Sequence, residues 1–283
     1  MDFITTFLHS LITLGGNINW SNVKLYLFNT RILHGVVITI MLSVFAQFVG
    51  TLLGLVLYLL RRSKVRVFNV IGEFYIWIFR GTPLLLQILL LYTIFPLLHF
   101  TKTIQNFDFF PALGFTQVPL EAFLIALIAF SLNEGAYMAE IVRSGIDSID
   151  VGQMEAAKSL GMTYGLAMFR IIIPQAARVI IPPLGNEFNN MLKTTSLASA
   201  ASLFELFNTA SQIGANSFIL LDLLIVAAFW YLLMTTIWGF VQSALESKYN
   251  PSNNEEKPQS LVSRLLGSFA TGGSKTVVGT EGR

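Results

Sequence analysis

Long runs of apolar residues, each free or nearly free of charge, alternate with short charged segments along most of this chain. Residues 35–60 carry no charge and end at Arg61, Arg62, Lys64 and Arg66. A helix needs about 20 predominantly apolar residues to cross a bilayer, so this run predicts a first span. Residues 81–99 form a second uncharged stretch. Residues 68–79 precede it with Glu73 as their one charge, a pattern that predicts a segment lying along the interface before the chain turns inward. Three more spans are predicted: residues 121–142 despite Glu134 and Glu140, residues 180–206 with Glu187 and Lys193 inside, and residues 218–245. Residues 3–14 are uncharged but too short to cross, and they lack the basic start and small-residue cleavage site of a signal peptide; they read as an interfacial segment.

Five crossings put the two termini on opposite sides, and basic residues set the direction. Arg61, Arg62, Lys64 and Arg66, then Arg143, Lys158, Arg170 and Arg178, then Lys248, Lys257, Arg264, Lys275 and Arg283 all fall on one face, whereas Lys24, Arg31 and Lys102 fall on the other. Positive loops stay inside, so the N-terminus is expected outside and the C-terminus in the cytoplasm. The expected division is a preface at 1–30, a membrane domain at 31–248 with a cytoplasmic loop at 146–179, and a cytoplasmic disordered tail at 249–283. That tail turns to Asn, Pro, Ser, Gly and charge, a composition with too little apolar surface to fold alone.

Composition agrees and narrows the chemistry. Of 283 residues, 54% are hydrophobic and 12% charged, about half the charged share of a soluble domain. With no Cys, neither a thiolate nucleophile nor a cysteine metal site is available, and His9, His34 and His99 lack ligand spacing. A net charge of +2 gives no reason to expect nucleic acid as a partner. No phosphate loop or catalytic constellation is present, so the chain is expected to hydrolyse nothing itself.

Ionisable residues inside spans are costly and face protein or a water-filled path. Asn186, Asn190 and Lys193 fall on one stripe of the fourth span, flanked by Glu187 and Thr194. The stripe either lines a translocation path or makes an interhelical or dimer contact in which Lys193 pairs with Glu134 or Glu187. Glu134, beside Asn133, is the acidic candidate for the path. Arg80 either snorkels at the interface or takes part in gating, and Pro83 breaks or kinks the helix beside it. Glu140 and Arg143, three apart, read as a helix-surface pair.

One polar segment stands apart, "EAAKSLGMTYGLAMFRIIIP" at residues 155–174. Propensity and capping divide it into a short helix from Glu155 to an exit at Gly161, and a second helix capped by Thr163 that ends before Pro174. Ala156, Ala157 and Leu160 are expected on one side, where small residues let a partner approach closely.

Glu155-Ala156-Ala157, Gly161 four residues after Ala157, and Ile173-Pro174 resemble the "EAA" loop of the permease subunits of binding-protein-dependent ABC importers. "FRGTPLLLQ" at 79–87, "AYMAEIVRSGI" at 136–146, "GQMEAAKSLGM" at 152–162, "PQAARVIIPPLGNEF" at 174–188 and "LKTTSL" at 192–197 are similar to the polar amino acid branch. The resemblance spans roughly residues 32–246. It implies an all-α integral membrane protein with the five-helix ABC importer permease (MetI-like) fold in a bacterial cytoplasmic membrane. It further implies a second permease subunit, identical or homologous, an extracytoplasmic amino-acid-binding protein, and a cytoplasmic ATPase dimer that binds ATP-Mg. No cofactor is expected on this chain. Glu155, Ala156, Ala157, Leu160, Gly161 and Pro174 would then dock on the ATPase. An ion-gradient-driven secondary transporter, or a scaffold without a path, are the alternatives; no internal repeat supports the former.

Overall fold

The computed structural model describes residues 18–97 and 120–249, and the described residues are helical with no strand. The predicted interfacial segment at 3–14, the end of the second stretch at His99, Lys102 and the tail beyond Tyr249 lie outside the described residues. Helix α1 is Trp20–Leu27, capped by the Asn19 side chain, which accepts from Ser21 N at 3.1 Å. Helix α2, Thr30–Arg61, starts at a second Asn cap, Asn29. At about 1.5 Å per residue it is some 48 Å long, more than the hydrocarbon core of a bilayer, and it ends among arginines that suit the carbonyl end of the helix dipole.

Helix α3, Arg66–Gly81, and helix α4, Leu84–Ile94, meet at a bend of 105°. Pro83 causes it: proline has no N–H to continue α3 and forces the residue before it out of the helical region, and Thr82 is extended at φ −117°, ψ 144°. Helix α5 is Leu120–Asp147 and α6 is Val151–Ser159. Helix α7, Tyr164–Ala167, runs through a π turn at Met168–Ile172 into α8, Ile173–Thr194, which tightens into a 3₁₀ segment at Thr195–Ala201. Helix α9, Leu206–Asn216, and α10, Leu220–Tyr249, complete the fold.

Among the described residues, α2, α5, the continuous helix Tyr164–Ala201 and α10 are each long and apolar enough to cross a membrane, and the bent α3–α4 pair can supply a fifth span. The fourth span therefore departs from the expected 180–206: its helix begins sixteen residues earlier and ends before Leu206, which opens α9 instead. Pro174 does not stop it. In the π turn Ile173 N–H reaches back five residues to the Met168 carbonyl, Gln175 Nε2 donates to the Ile171 carbonyl at 3.0 Å, and Pro174 falls in the first turn of α8, where a missing N–H is tolerated.

The centre is the α2–α5 pair, the most extensive helix contact among the described residues. Gly50 and Gly54 bring the two backbones together. A Cβ at Gly54 would lie 2.4 Å from Met138 Cβ and 2.9 Å from Ala139 N, and one at Gly50 would lie 2.6 Å from Glu134 Cβ. Lipid offers no hydrophobic force between spans, so close packing of small residues is what holds such a pair. Around it, Leu42, Ala46, Ile88, Phe130 and Met191 are buried together, tying α4 and α8 to the pair; Ile32, Leu206, Leu223 and Val226 form a second cluster that ties in α9 and α10. Val44, Phe48, Leu52, Leu55 and Leu59 of α2 stay exposed, an apolar face of the kind lipid covers.

Candidate functional site

Helix α6 begins at Val151, four residues before Glu155, because Asp150 caps it: Asp150 Oδ1 accepts from Gly152 N at 2.6 Å. Its end is a Schellman motif. Met162 N donates to the Ala157 carbonyl at 3.1 Å and Gly161 N to the Lys158 carbonyl at 2.9 Å. Gly161 sits at φ +79°, the left-handed region that glycine adopts without penalty. Thr163 then caps α7 by accepting from Leu166 N at 3.4 Å.

The expected single docking face is divided. Ala157 is buried at 1% exposure and packs onto its own chain, whereas Glu155, Ala156 and Gly161 are exposed and Leu160 is 82% exposed. At about 100° per residue Leu160 falls between Ala156 and Ala157, so helix geometry alone keeps the three on one side, and the division follows from what packs over Ala157. Pro174 is exposed at the start of α8. The segment is thus anchored through Ala157 and Ala167 and presents Ala156, Leu160 and Phe169 outward.

Beside it lies an ion-pair network that sequence spacing disclosed only in part. Glu140 and Arg143 pair at 2.8 Å, as their separation suggested, but Arg61 of α2 also binds Glu140 and approaches Glu73 of α3 at 3.6 Å. Arg143 holds Asp147 at 3.1 Å, and Arg62 reaches Asp147 at 3.8 Å and the Tyr58 hydroxyl at 2.9 Å. Tyr58, Arg61, Arg62, Asn69, Glu73, Arg143 and Asp147 line a cleft of about 250 Å³. The network joins the end of α2 and the C-terminal part of α5 to the middle of α3, near the point where the chain enters α6.

The polar stripe of α8 divides as well. Asn186 and Lys193 are exposed, and Glu187, Asn190 and Thr194 are half-buried. Asn190 is within hydrogen-bonding reach of Glu187. Glu134, on α5, is buried at 5% exposure and accepts from Gln47 Nε2 of α2 at 3.0 Å. Glu187 lies close enough to act on Glu134 electrostatically. Among the described residues Lys193 forms no ion pair with Glu134 or Glu187.

At the bend, the Arg80 guanidinium lies over the Tyr137 ring, 5.4 Å from its centroid. The carbonyls that Pro83 strands are taken up by side chains. Gln87 Nε2 donates to Phe79 O at 3.0 Å and Thr82 O at 3.1 Å, and Asn133 Nδ2 donates to Phe79 O and Gln87 Oε1 at 3.0 and 3.1 Å. Gln47, Gln87 and Asn133 were not singled out as site residues from sequence. Glu205, also passed over, is fully buried, caps α9 through Phe207 N and Asn208 N at 2.8 and 2.7 Å, and accepts from the Tyr231 hydroxyl at 2.8 Å. Asp222 likewise ties α1 to α10 through Asn19 N and Asn22 Nδ2.

Residues 48–251 match the family of binding-protein-dependent transport system inner membrane components. The chain is 39% identical over 257 residues to the arginine transport system permease protein ArgU of Corynebacterium glutamicum, covering 89% of this chain and 77% of that protein. It is 38% identical over 245 residues to the L-cystine transport system permease protein TcyB of Bacillus subtilis, covering 86% and 97%. A crystal structure of an amino acid ABC transporter with histidines superposes with a TM-score of 0.66 at 34% identity, over 81% of this chain and 97% of that one. The inward-facing MetNI methionine ABC transporter shares the fold at TM-score 0.57 and 15% identity, over 80% and 97%.

Proposed function

Because the chain belongs to the family of binding-protein-dependent transport system inner membrane components, we propose that it forms the translocation path of an importer for polar amino acids in a bacterial cytoplasmic membrane. It is a transport component, and the energy comes from a separate ATPase. In this reading the ATPase dimer binds ATP-Mg on the cytoplasmic side, an extracytoplasmic binding protein delivers the amino acid, and a second permease subunit completes the path. The charge asymmetry of the loops supports a cytoplasmic C-terminus, and in this reading α6 lies on the side of the membrane where the ATPase binds.

The observation that carries the coupling role is the shape of α6. It is short, capped at both ends, anchored by buried Ala157, and ends in a projecting Leu160. A rigid knob with an exposed apolar tip can transmit displacement, and the Arg61–Glu140–Arg143–Asp147 network leads from its root into α2 and α5. The path reading draws on α8, where exposed Asn186 and Lys193 would be expensive against lipid and are accommodated against water or a second subunit. Glu134, Glu187, Asn190 and Thr194 continue that polar surface inward, and Arg80 with Pro83 forms the bend where the path can change width.

The test is reconstitution of the permease with its ATPase and binding protein in liposomes. The reading requires amino acid uptake that depends on ATP and on the binding protein. Uptake that continues without ATP and follows an imposed ion gradient would sink it.

A further inference from the structure

Three basic residues at the turn between α2 and α3 are left unneutralised by the ion pairs around them. Arg61 and Arg143 are held by Glu140, with Glu73 and Asp147 as their second partners. Arg62 is different. Its side chain is 48% exposed, and among the described residues Nη1 alone has polar partners, the Tyr58 hydroxyl at 2.9 Å and Asp147 at 3.8 Å. Lys64 and Arg66 are exposed and form no ion pair among the described residues. The first turn of α3 carries no acidic side chain to offset them. Arg62 and Arg66 are four residues apart, so their backbones stand no more than about 14 Å from each other, and with Lys64 between them the three long side chains can converge on one anion.

The neighbouring surface is apolar, and two stripes of it end at these charges. On α2, Leu52, Leu55 and Leu59 are exposed and follow one another at three- or four-residue steps; the next such step lands on Arg62. On α3, Arg66 begins a similar run, continued by exposed Val70, Phe74 and Trp77. The other side of α3 is closed against the protein: Gly72 and Ile76 are buried, and a Cβ at Gly72 would lie 3.2 Å from Arg61 N. Basic side chains at the end of a lipid-facing stripe stand at the level of the headgroups. A soluble protein seated on the charges would leave both stripes uncovered, whereas a phospholipid matches the two parts at once. A zwitterionic headgroup brings no net charge to set against three cations; an anionic one does.

We propose that Arg62, Lys64 and Arg66 form a binding site for the phosphodiester of an anionic phospholipid, phosphatidylglycerol in the simplest case, whose acyl chains lie along the exposed stripes of α2 and α3. Arg62 donates to a phosphate oxygen through the N–H groups that Tyr58 leaves free, and Lys64 and Arg66 supply the rest of the positive charge. Because Arg62 also approaches Asp147, the headgroup sits beside the ion pairs that join α2 to α5. The site belongs to the membrane-embedded chain whatever solute it carries.

The test counts the lipids that the permease–ATPase complex retains, by native mass spectrometry, after release from nanodiscs holding phosphatidylglycerol and phosphatidylcholine in equal parts. A basic residue near an anionic surface is worth roughly a fivefold preference, so the wild-type complex should retain phosphatidylglycerol at least about tenfold over phosphatidylcholine. Raising the salt from about 0.1 to 1 M shortens the screening length from about 10 to 3 Å and should shrink that ratio, a comparison that needs no variant to fold. Arg62→Gln, Lys64→Gln and Arg66→Gln together should bring the ratio to within about twofold of unity. The charge-keeping set Arg62→Lys, Lys64→Arg and Arg66→Lys should retain most of it, and so should Lys248→Gln, which removes an exposed lysine at the end of α10. Equal retention of the two lipids by the wild type, or a preference unchanged by the three Gln substitutions, would overturn the inference. Two other results would do the same: a preference that the permease shows alone and loses once the ATPase binds, which would give the charges to the ATPase contact, and full displacement of the lipid by inorganic phosphate, which would leave the stripes without a role. None of these outcomes touches the transport reading, which is decided by ATP-driven uptake.

Discussion

Replacing Gly161 tests how strongly the end of α6 matters, because this site separates backbone strain from contact. The residue holds φ +79° and a Cβ added there meets nothing within 4 Å, so a substitution costs only what the left-handed conformation costs. For an alanine that is roughly 1–2 kcal/mol, whereas asparagine, whose side chain tolerates this region, loses less. Since 1.4 kcal/mol is a factor of ten in an equilibrium constant, Gly161→Ala should lower the equilibrium constant for the intact Schellman end by about tenfold, and the apparent affinity for the ATPase measurably, by up to about that factor. Gly161→Asn should stay within about threefold of wild type. Gly165, also in open space but within α7 and without a positive φ, provides the control: Gly165→Ala should keep or slightly raise the thermal stability of the permease. The assay is titration of the purified ATPase onto permease in nanodiscs, followed by the ratio of amino acid imported to ATP hydrolysed. Equal losses for Ala and Asn, or no loss for either, would refute the argument from backbone geometry.

Three further outcomes follow from other contacts. Gly54→Val places carbon against Met138 Cβ, Ala139 N and Gly135 O, of which two are backbone atoms unable to turn aside; it should separate α2 from α5, cost about 1–3 kcal/mol or more, and lower the melting temperature in detergent. Arg61→Glu should reduce uptake and stability, and the double variant Arg61→Glu with Glu140→Arg should recover part of both, since the pair joins two helices rather than serving as separate charges. Gln87→Leu strips the donor that serves Phe79 O and Thr82 O at the bend, leaving Asn133 as partner of Phe79 O, and should cost about 1–3 kcal/mol, read as a lower melting temperature with insertion unchanged.

The spans were legible because their signal is local: an uncharged run of membrane length has few alternatives, and Pro83 marks its own bend. The start of the fourth span was not. Arg170, Arg178 and Pro174 lower the apolar score of a stretch that a π turn and Gln175 keep helical. Helix α9 escaped notice because its cap is Glu205, a residue type that rarely announces a helix start. The segment at 155–174 stood out in the sequence by its polar character and spacing, yet its division into a buried Ala157 and a projecting Leu160 depends on what lies beneath it. Gly50 and Gly54 went unread in the sequence, although their four-residue spacing matches small-residue packing between spans. By contrast the contact of Gln47 with Glu134 joins residues 87 apart, and no local pattern predicts it.

The absence of Cys makes the central claim directly measurable with a single introduced thiol. Leu160→Cys, labelled by a membrane-impermeant maleimide, should react in inside-out vesicles stripped of the ATPase, be protected once the ATPase is added back, and stay silent in intact cells. Labelling in intact cells, or reactivity in stripped vesicles that the ATPase does not change, would contradict the account.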